Sequence, residues 1–417
     1  MEATTFSIQA GRVNNNLQVL GRIGKIGSTG VSRLAHSPED KEAVLHVKKY
    51  MDEIGLQTEI DQFGNLIGRM DGVANDAPAL VMGSHIDSQP YGGRFDGALG
   101  VIGAIEVLET LHDKGIQPEI PIVIFAFADE EGSRFNKGLF GVRGMLGKVE
   151  EGELERRDKN GMTRRQALIE FGCDPSKFQE SLIDTTTFAA FLELHIEQGP
   201  VLEAKNEPVG IVTGISGPLW LTVEMEGMAG HAGSVPMSMR QDALVGAAKV
   251  IVKLNELAQE VPGAPTVSTI GSLQVFPDSR NIIPEKVTFT VDLRDIDESR
   301  RDQIEQVFLQ ELENIAVEHS LSYKINEDTR SEPRFCDESI MQIMREESAD
   351  MNLTPPELMS GPFHDSLEMS YVCDYGMIFV RSKDGISHNP KEYSSPEDIA
   401  LGVELLYKTV YRMACQK

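Results

Sequence analysis

The sequence predicts an α/β fold: a mixed sheet covered by helices forms the main domain, and a smaller α+β domain interrupts it. At 417 residues the chain is long for a single domain. In its outer parts, near-continuous apolar strand patterns alternate with helical patterns, as in parallel or mixed sheets. The middle part alternates polar and apolar residues, as half-buried strands do. The predicted main domain comprises residues 1–210 and 326–417, and the predicted insert comprises 211–325.

Each element has its own local signal. Helices are predicted where apolar residues recur at a spacing of three or four, in one case between a serine cap and a glycine. The main domain is predicted to contain, in order, a helix over 37–55, a strand over 80–82, a helix over 98–114, a strand over 120–127, a helix over 339–350, a strand over 376–380 and a closing helix from 396. The insert is predicted to contain strands over 219–226 and 287–294 and helices over 240–259 and 298–319.

Composition excludes several classes of partner. The formal net charge of −26 argues against nucleic-acid binding, which depends on basic residues that neutralise phosphates. No apolar run approaches the roughly 18–20 residues of a membrane span, and no secretory signal is visible at the N-terminus. The four cysteines show no CxxC spacing, which fits reduced thiols. We therefore expect a soluble, cytoplasmic protein without nucleic-acid or membrane partners.

The first candidate metal ligands follow the strand around residue 81. His85 and Asp87 leave this strand together, so that one can bind a metal while the other orients it. Asp96 follows eleven residues after His85 in a glycine-rich loop and can curl back to bridge a second metal. These three residues make the chain a candidate metallohydrolase.

Further candidates follow other apolar runs. Glu130 and Glu131 come after the strand over 120–127, and their side chains are expected to point in different directions, one to a metal and one to a water. His195 ends an apolar run, and His388 follows the strand over 376–380. Taken singly, each of these signals more often marks a packed or surface residue.

Their coincidence favours a metal site. The chain has nine histidines, and three of them lie at strand ends beside acidic residues and glycine. Imidazole and carboxylate ligands suit Zn²⁺, Mn²⁺, Co²⁺ or Ni²⁺. The histidines without such a setting are interpreted as structural: His36, His46, His112 and His319.

Seven motifs together resemble the M20-type metallohydrolases, and within them the amidase, hydantoinase/carbamoylase branch. The resemblance extends from about residue 15 to 410 and is carried by GSHIDS (83–88), GGRFDG (92–97), DEEGSRF (129–135), ELHIEQGP (193–200), GHAGSVPM (230–237), NIIP (281–284) and GISHNP (385–390). The resemblance implies a catalytic domain with two divalent metal ions and an inserted domain that mediates dimerisation and closes over the substrate. The implied metal ligands are His85, Asp96 as the bridge, Glu131, His195 and His388.

The resemblance also implies the roles of the remaining candidates. Glu130 would be the general base, and Asp87 would orient the ring of His85. Gln198 and His364 would contact the substrate. His231 would reach into the partner subunit of a homodimer and stabilise the oxyanion.

Asn281 and Arg294 match the pair that grips the substrate carboxylate, for which a guanidinium fork is well suited. An alternative remains open for Arg294: without the resemblance, a surface ion pair with Asp295 or Asp297 would be the preferred interpretation. The segment before His364 departs from the pattern: this chain has Pro362 and Phe363 where similar enzymes usually have alanine and glycine. We expect Phe363 to add an apolar wall to the pocket and to alter side-chain preference.

The implied reaction is hydrolysis of N-carbamoyl-L-amino acids to the L-amino acid, CO2 and ammonia. Allantoate amidohydrolase and β-ureidopropionase-like activity on other ureido acids are the alternatives within this branch. An aminopeptidase or deacylase of the wider family is a further alternative, which the HIEQGP motif disfavours. A non-catalytic metal-binding protein is disfavoured because Glu130 and every candidate ligand are present.

Overall fold

The computed structural model describes residues 6–416, which form two compact units. The first unit comprises the described residues up to Thr213 and from Cys336 onward, and the second comprises Gly214–Phe335. The prediction placed the second boundary at residue 325. The chain leaves the second unit ten residues later, because the last long strand of that unit continues to Arg330.

The first part of the first unit contains six α-helices and eight strands. Its helices are α1 (Ala10–Leu20), α2 (Pro38–Glu53), α3 (Ala98–Asp113), α4 (Phe140–Met145), α5 (Arg164–Phe171) and α6 (Val201–Lys205). Its strands are β1 (Lys25–Ile26), β2 (Gly30–Val31), β3 (Gln57–Ile60), β4 (Leu66–Met70), β5 (Ala79–His85), β6 (Ile122–Phe127), β7 (Phe188–Ile196) and β8 (Val209–Ile215).

The remaining elements lie in the second unit and in the returning chain. The second unit contains β9 (Gly217–Glu226), β10 (Gly230–His231), α7 (Ala243–Ala258), β11 (Val267–Thr269), β12 (Leu273–Phe276), β13 (Ile282–Ile283), β14 (Lys286–Asp295), α8 (Glu298–His319), β15 (Ser322–Arg330) and β16 (Arg334–Phe335). The returning chain forms α9 (Glu338–Asp350), β17 (Glu357–Ser360), α10 (Asp365–Met369), β18 (Asp374–Val380) and α11 (Pro396–Ala414).

The large sheet is mixed, which confirms the predicted fold class. Its strands follow the order β16-β8-β18-β7-β5-β6-β4-β3, and β17 pairs with β8. The four central strands β18, β7, β5 and β6 are parallel to one another, whereas β4 and β8 run antiparallel to their neighbours. The carboxyl ends of the parallel strands therefore lie at one edge, where open α/β sheets bind their ligands.

Helices cover both faces of the parallel strands. On one face, α3 and α11 pack against each other and against β7, where Leu194 approaches glycines of both helices. On the other face, α10 packs against β7, where Ser366 donates hydrogen bonds to Glu193. Because side chains alternate along a strand, His195 lies on the same face as Glu193. Burial on both faces explains why these strands are apolar almost throughout.

The second unit is built on an antiparallel sheet with one covered face. The strands follow the order β11-β14-β9-β15, with β12 also paired to β14. Helices α7 and α8 pack on one face around a core that includes Leu219, Val223 and Phe289. Along β14, buried and half-buried residues alternate strictly, so the half-buried side chains lie on the face away from the helices.

Local chemistry sets the ends of the helices. Helix α7 begins at Ala243 and not at the predicted residue 240, because the Asp242 carboxylate accepts hydrogen bonds from Leu244 N and Val245 N. An aspartate in this position caps a helix and marks its start. Among the described residues, no helix has the length and apolar character needed to cross a membrane.

Candidate metal centre

The predicted ligands come together at the carboxyl edge of the four parallel strands. His85 is the last residue of β5 and lies opposite Phe127, after which β6 continues into the acidic segment 129–131. His195 lies opposite Phe379 near the end of β18, and His388 belongs to the loop that follows this strand. The parallel register thus brings three distant segments of the chain to one edge.

Asp96 lies between two groups of these residues. Its Oδ1 atom is 3.2 Å from Nε2 of His195 and 3.7 Å from Nε2 of His85. Its Oδ2 atom is 3.2 Å from Nε2 of His388, and Glu131 Oε2 is 3.5 Å from the same nitrogen. One carboxylate therefore presents one oxygen to each of two donor groups: His85 with His195, and Glu131 with His388.

Both buried histidines are oriented for binding through Nε2. Nδ1 of His85 is 3.0 Å from the carbonyl oxygen of Asp87, and Nδ1 of His195 is 2.9 Å from that of Ile196. A carbonyl can only accept, so in the neutral ring each Nδ1 carries the proton and each Nε2 keeps its lone pair. The amide N–H of Gly97 donates to Nε2 of His195, which agrees with this tautomer.

Glu130 and Glu131 diverge, as predicted, although for a different reason. They do not continue the strand, because β6 ends at Phe127 and Asp129 has a left-handed φ of 55°. After this turn, Oε2 of Glu130 lies 3.7 Å from Nε2 of His85, whereas Glu131 faces His388. The two adjacent carboxylates therefore serve different parts of the site.

Asp87 acts through two different groups. Its backbone carbonyl orients the ring of His85, while its carboxylate lies 3.6 Å from that ring. The carboxylate also accepts hydrogen bonds from the amide groups of Glu130 and Glu131, at 3.2 and 3.4 Å. Asp87 therefore holds the turn that carries both glutamates, in addition to the predicted contact with His85.

Gln198 and His364 also lie beside the predicted ligands. Nε2 of Gln198 donates to Oδ2 of Asp96 at 3.0 Å and lies 3.4 Å from Nε2 of His388. The ring of His364 packs edge-on against that of His195 at 4.4 Å, and its Nε2 is 2.7 Å from the hydroxyl of Ser360. Both residues therefore contact the predicted metal ligands directly, and their contact with a substrate stays a prediction.

The electrostatics of the site favour bound cations. Burial, followed by the charge of Asp96, raises the pKa of Glu131 to about 7. Burial also raises the pKa of Glu130 well above its usual value. Crowded, buried carboxylates of this kind become ionised readily only beside positive charge. The residues therefore fit two divalent ions, with His85, Asp96 and His195 as donors to one, and Asp96, Glu131 and His388 as donors to the other.

Four residues of the site were missed by the sequence analysis. Gln89 donates its amide to Oε2 of Glu131 at 2.6 Å. Glu193 accepts hydrogen bonds from the hydroxyls of Ser84 and Ser366 on its two oxygens, so it joins β5 and α10 to β7. Ser387 and Glu392 lie in the loop of His388 and contact the Asp96 segment. All lie within or next to the motifs, but only the fold shows what they contact.

His231 and Asn281 lie next to each other in the second unit. Strands β10 and β13 pair so that His231 is opposite Ile282, and the Asn281 carbonyl accepts a hydrogen bond from Ala232 N at 2.9 Å. His231 is exposed, and its Nδ1 accepts a hydrogen bond from Gly233 N at 3.0 Å. In the neutral ring the proton therefore lies on Nε2, where it can be donated.

Arg294 has a different ion-pair partner from those considered in the sequence analysis. Asp295 pairs with Arg300, and Asp297 accepts a longer contact from the same arginine. Arg294 instead forms a two-pronged pair with Asp292, with distances of 2.9 and 2.8 Å. Residues two apart in a strand share a face, so the pair lies on the half-buried face of β14.

The substituted segment before His364 adopts an ordinary backbone conformation. Phe363 does not belong to the described residues with positive φ, and the carbonyl of Pro362 accepts a hydrogen bond from Ser360 at 2.9 Å. The loop therefore needs no glycine at this position, and the effect of Phe363 on side-chain preference stays a prediction.

Comparison with known proteins identifies the family. The model of peptidase family M20/M25/M40 matches residues 81–412. The chain belongs to this family. It is 42% identical over 410 residues to the N-carbamoyl-L-amino-acid amidohydrolase of Pseudomonas sp. (strain NS671), covering 98% of this chain and 99% of that protein. This membership confirms the family predicted from the seven motifs.

Two further relatives support the same branch of the family. The ureidoglycolate hydrolase of Arabidopsis thaliana is 35% identical over 422 residues, covering 99% of this chain and 88% of that protein. A crystal structure of an amidase of the hydantoinase/carbamoylase family from Burkholderia multivorans superposes with a TM-score of 0.91 at 34% identity, covering 98% of both chains.

Proposed function

We propose that the protein hydrolyses N-carbamoyl-L-α-amino acids to the L-amino acid, CO2 and ammonia. The observation that carries the hydrolytic part is the position of Asp96, whose two oxygens face two separate donor groups beside Glu130. The substrate class is supported by the Pseudomonas relative, to which almost the whole chain aligns. Hydrolysis of another ureido acid is the second candidate, supported by the ureidoglycolate hydrolase relative.

Two divalent ions of the Zn²⁺, Mn²⁺, Co²⁺ or Ni²⁺ type would polarise the ureido carbonyl and lower the pKa of the attacking water. Glu130 takes a proton from this water and passes it to the nitrogen that leaves as the amino acid. A bond forms between the water oxygen and the ureido carbon, and the bond from that carbon to the amino-acid nitrogen breaks. The remaining carbamate decomposes to CO2 and ammonia.

The residues that the family resemblance implies as substrate contacts are proposed to hold the substrate. Arg294 and Asn281 bind its carboxylate, which would take the place of Asp292 beside the guanidinium. Gln198 and His364 contact the ureido end, close to Asp96 and His195. His231 is proposed to act from the partner subunit of a homodimer, donating from Nε2 to the oxyanion.

The proposed activity is tested on chelator-stripped protein with Mn²⁺, Co²⁺ or Zn²⁺ restored. The substrates are N-carbamoyl-L-methionine, its D-enantiomer, its L-amide, allantoate, ureidoglycolate and N-acetyl-L-methionine. We expect metal-dependent release of methionine and ammonia from the L-carbamoyl acid, with much slower turnover of the amide because it lacks the carboxylate. Preference for allantoate or ureidoglycolate would favour the second candidate, and no turnover of any substrate would contradict both.

The contribution of His231 in trans has its own test. A mixture of Glu130→Gln and His231→Ala subunits, refolded or exchanged together, should recover activity that neither variant has alone. A heterodimer would then contain one site with both residues intact. If heterodimers form but activity is not recovered, His231 either acts within its own subunit or takes no part in the reaction.

The cytoplasmic location stays a prediction. The four cysteines form no disulfide, which fits a reducing compartment.

A further inference from the structure

Glu392 is a buried acidic residue that the reaction described above does not use. It lies four residues after His388, and only 3% of its surface is exposed. Its Oε1 atom accepts hydrogen bonds from the backbone amides of Phe95 and Asp96, at 2.9 and 3.1 Å. Its Oε2 atom is 3.1 Å from the hydroxyl of Ser387. One carboxylate thus joins two loops that are almost 300 residues apart in the sequence.

Both of these loops carry a proposed metal ligand. One supplies Asp96 and the other supplies His388. The Ser387 hydroxyl lies within hydrogen-bonding distance of Asp96 Oδ2 as well as of Glu392, at 3.0 Å from the former. Fixing the amide of Asp96 and the residue before His388 therefore sets the separation between the two ligands.

The neighbouring glycine shows how closely the chain surrounds this carboxylate. A Cβ atom on Gly93 would lie 2.1 Å from Oε1 and Cδ of Glu392, which no side chain can tolerate without displacement. In the described part of the chain no lysine or arginine forms an ion pair with Glu392, so donors from the two loops compensate its burial. Burying a carboxylate beside the carboxylate of Asp96 costs free energy, so the presence of Glu392 here indicates that it has a role of its own.

We propose that Glu392 is a positioning residue that clamps the Asp96 loop to the His388 loop and so prepares the second metal position. This proposal rests on the proposed metal centre. Residues of this kind, which hold the ligands and do not touch the metal, typically change metal affinity by about 10–100-fold when they are removed.

The decisive experiment measures Mn²⁺ binding to the chelator-stripped protein by calorimetry. We expect Glu392→Ala to weaken binding of one of the two ions by about 10–100-fold. Glu392→Gln should retain most of the affinity, because its Oε1 can still accept from both amides and its Nε2 can donate to Ser387. Gly93→Ala should also weaken binding by displacing the carboxylate. In the Glu392→Ala background its effect should be smaller, because the clash with Cδ and Oε1 is gone and only the contact with Cβ at 2.5 Å remains.

Glu404 supplies the matched control. It is equally buried, and its Oε2 atom accepts from the backbone amides of Ser7 and Ile8, but it lies in α11 away from the proposed ligands. Glu404→Ala removes the same chemistry from a clamp that holds no ligand loop. We expect it to lower thermal stability without weakening Mn²⁺ binding.

A second readout needs no metal. In the stripped protein, Glu392→Ala should speed amide hydrogen exchange at Phe95 and Asp96, and Glu392→Gln should not. Wild-type affinity in soluble, folded Glu392→Ala would overturn the clamp even if carbamoylase activity were found. If the wild type binds two ions but hydrolyses no ureido acid, the proposed function is contradicted. The clamp is then tested independently by the Mn²⁺ affinities of the Glu392 variants. Absence of Mn²⁺ binding by the wild type would overturn both.

Discussion

Polar side chains are buried in the large sheet but lie on a half-buried face in the smaller sheet. In β7 every residue from Ala190 to Ile196 is buried, including Glu193 and His195. In β14 buried and half-buried residues alternate, and Arg294 with its partner lies on the half-buried face. In a sheet covered on both faces, each polar side chain needs a hydrogen-bond partner inside the protein. On an open face, a ligand can replace the partner of a polar side chain.

This difference separates two kinds of proposed site residue. His85, Asp96 and His195 are held by internal hydrogen bonds before any ligand arrives. Arg294 pairs with Asp292, a neighbour two residues away on its own strand, and its guanidinium lies over the ring of Trp220. The first arrangement suits a metal centre that must keep its geometry, and the second suits a residue that must accept a substrate carboxylate.

The largest effect is expected from Glu130→Gln. Glutamine has nearly the volume of glutamate but cannot take up a proton at neutral pH, so kcat should fall by about 10²–10⁴-fold. Metal content and the melting temperature should stay close to those of the wild type. The measurement combines the rate of ammonia release with metal analysis.

The neighbouring Glu131→Gln variant sharpens this result. Because Glu131 faces His388 and not His85, its loss should lower the metal content before it lowers the rate at saturating metal. If Glu130→Gln kept more than a tenth of the wild-type kcat, or lost metal as Glu131→Gln is expected to do, the assignment of the two carboxylates would be wrong.

The second prediction compares one glutamate from each sheet. Glu193→Ala should lower the free energy of unfolding by about 3 kcal/mol, because it leaves the buried donors of Ser84 and Ser366 without their acceptor. Glu224 lies on the half-buried face of β9 and pairs with Lys286. Glu224→Ala should change the free energy of unfolding by only about 0.5 kcal/mol or less. Urea unfolding of the metal-free protein measures the change in the free energy of unfolding for both variants. Equal changes would contradict the difference between the two sheets.

The smallest of the three main effects concerns His36, which is buried in the first unit. Burial lowers its pKa from 6.5 to about 4, and its Nε2 is 3.2 Å from the carbonyl oxygen of Phe63. In the unfolded chain this ring takes up a proton near pH 6.5, whereas in the folded protein it stays neutral down to about pH 4. The unfolded state therefore binds more protons between these values, and folding stability falls as the pH is lowered.

Between pH 7.5 and 5 this linkage should remove about 2 kcal/mol of stability from the wild type. His36→Asn should lack this contribution, and asparagine tolerates the left-handed backbone that His36 adopts at φ 55°. Urea unfolding at both pH values provides the measurement. A variant with the same pH dependence as the wild type would show that His36 does not titrate as described.

The fold class could be predicted from particular residues, and so could the approach of the candidate ligands to one edge of the sheet. Apolar strand patterns placed His85 and His195 at strand ends, and the motifs marked Asp96 as a bridge. The side chains of Glu130 and Glu131 diverge as expected, but not because they alternate along an extended strand. The chain makes a left-handed turn at Asp129 before it reaches them. A single residue in an unusual conformation changes the direction of its neighbours and leaves no periodic signal.

By itself the sequence determined which chemical groups are available and which strands are buried, since both depend on residue type and local spacing. Only the tertiary structure decided which oxygen of Asp96 faces which histidine and that Asp292, not Asp295, pairs with Arg294. It also decided that Glu392 joins two loops from opposite ends of the chain. Contacts of this kind depend on strand register and on packing between distant segments, which become defined only when the sheet has formed and its faces are covered.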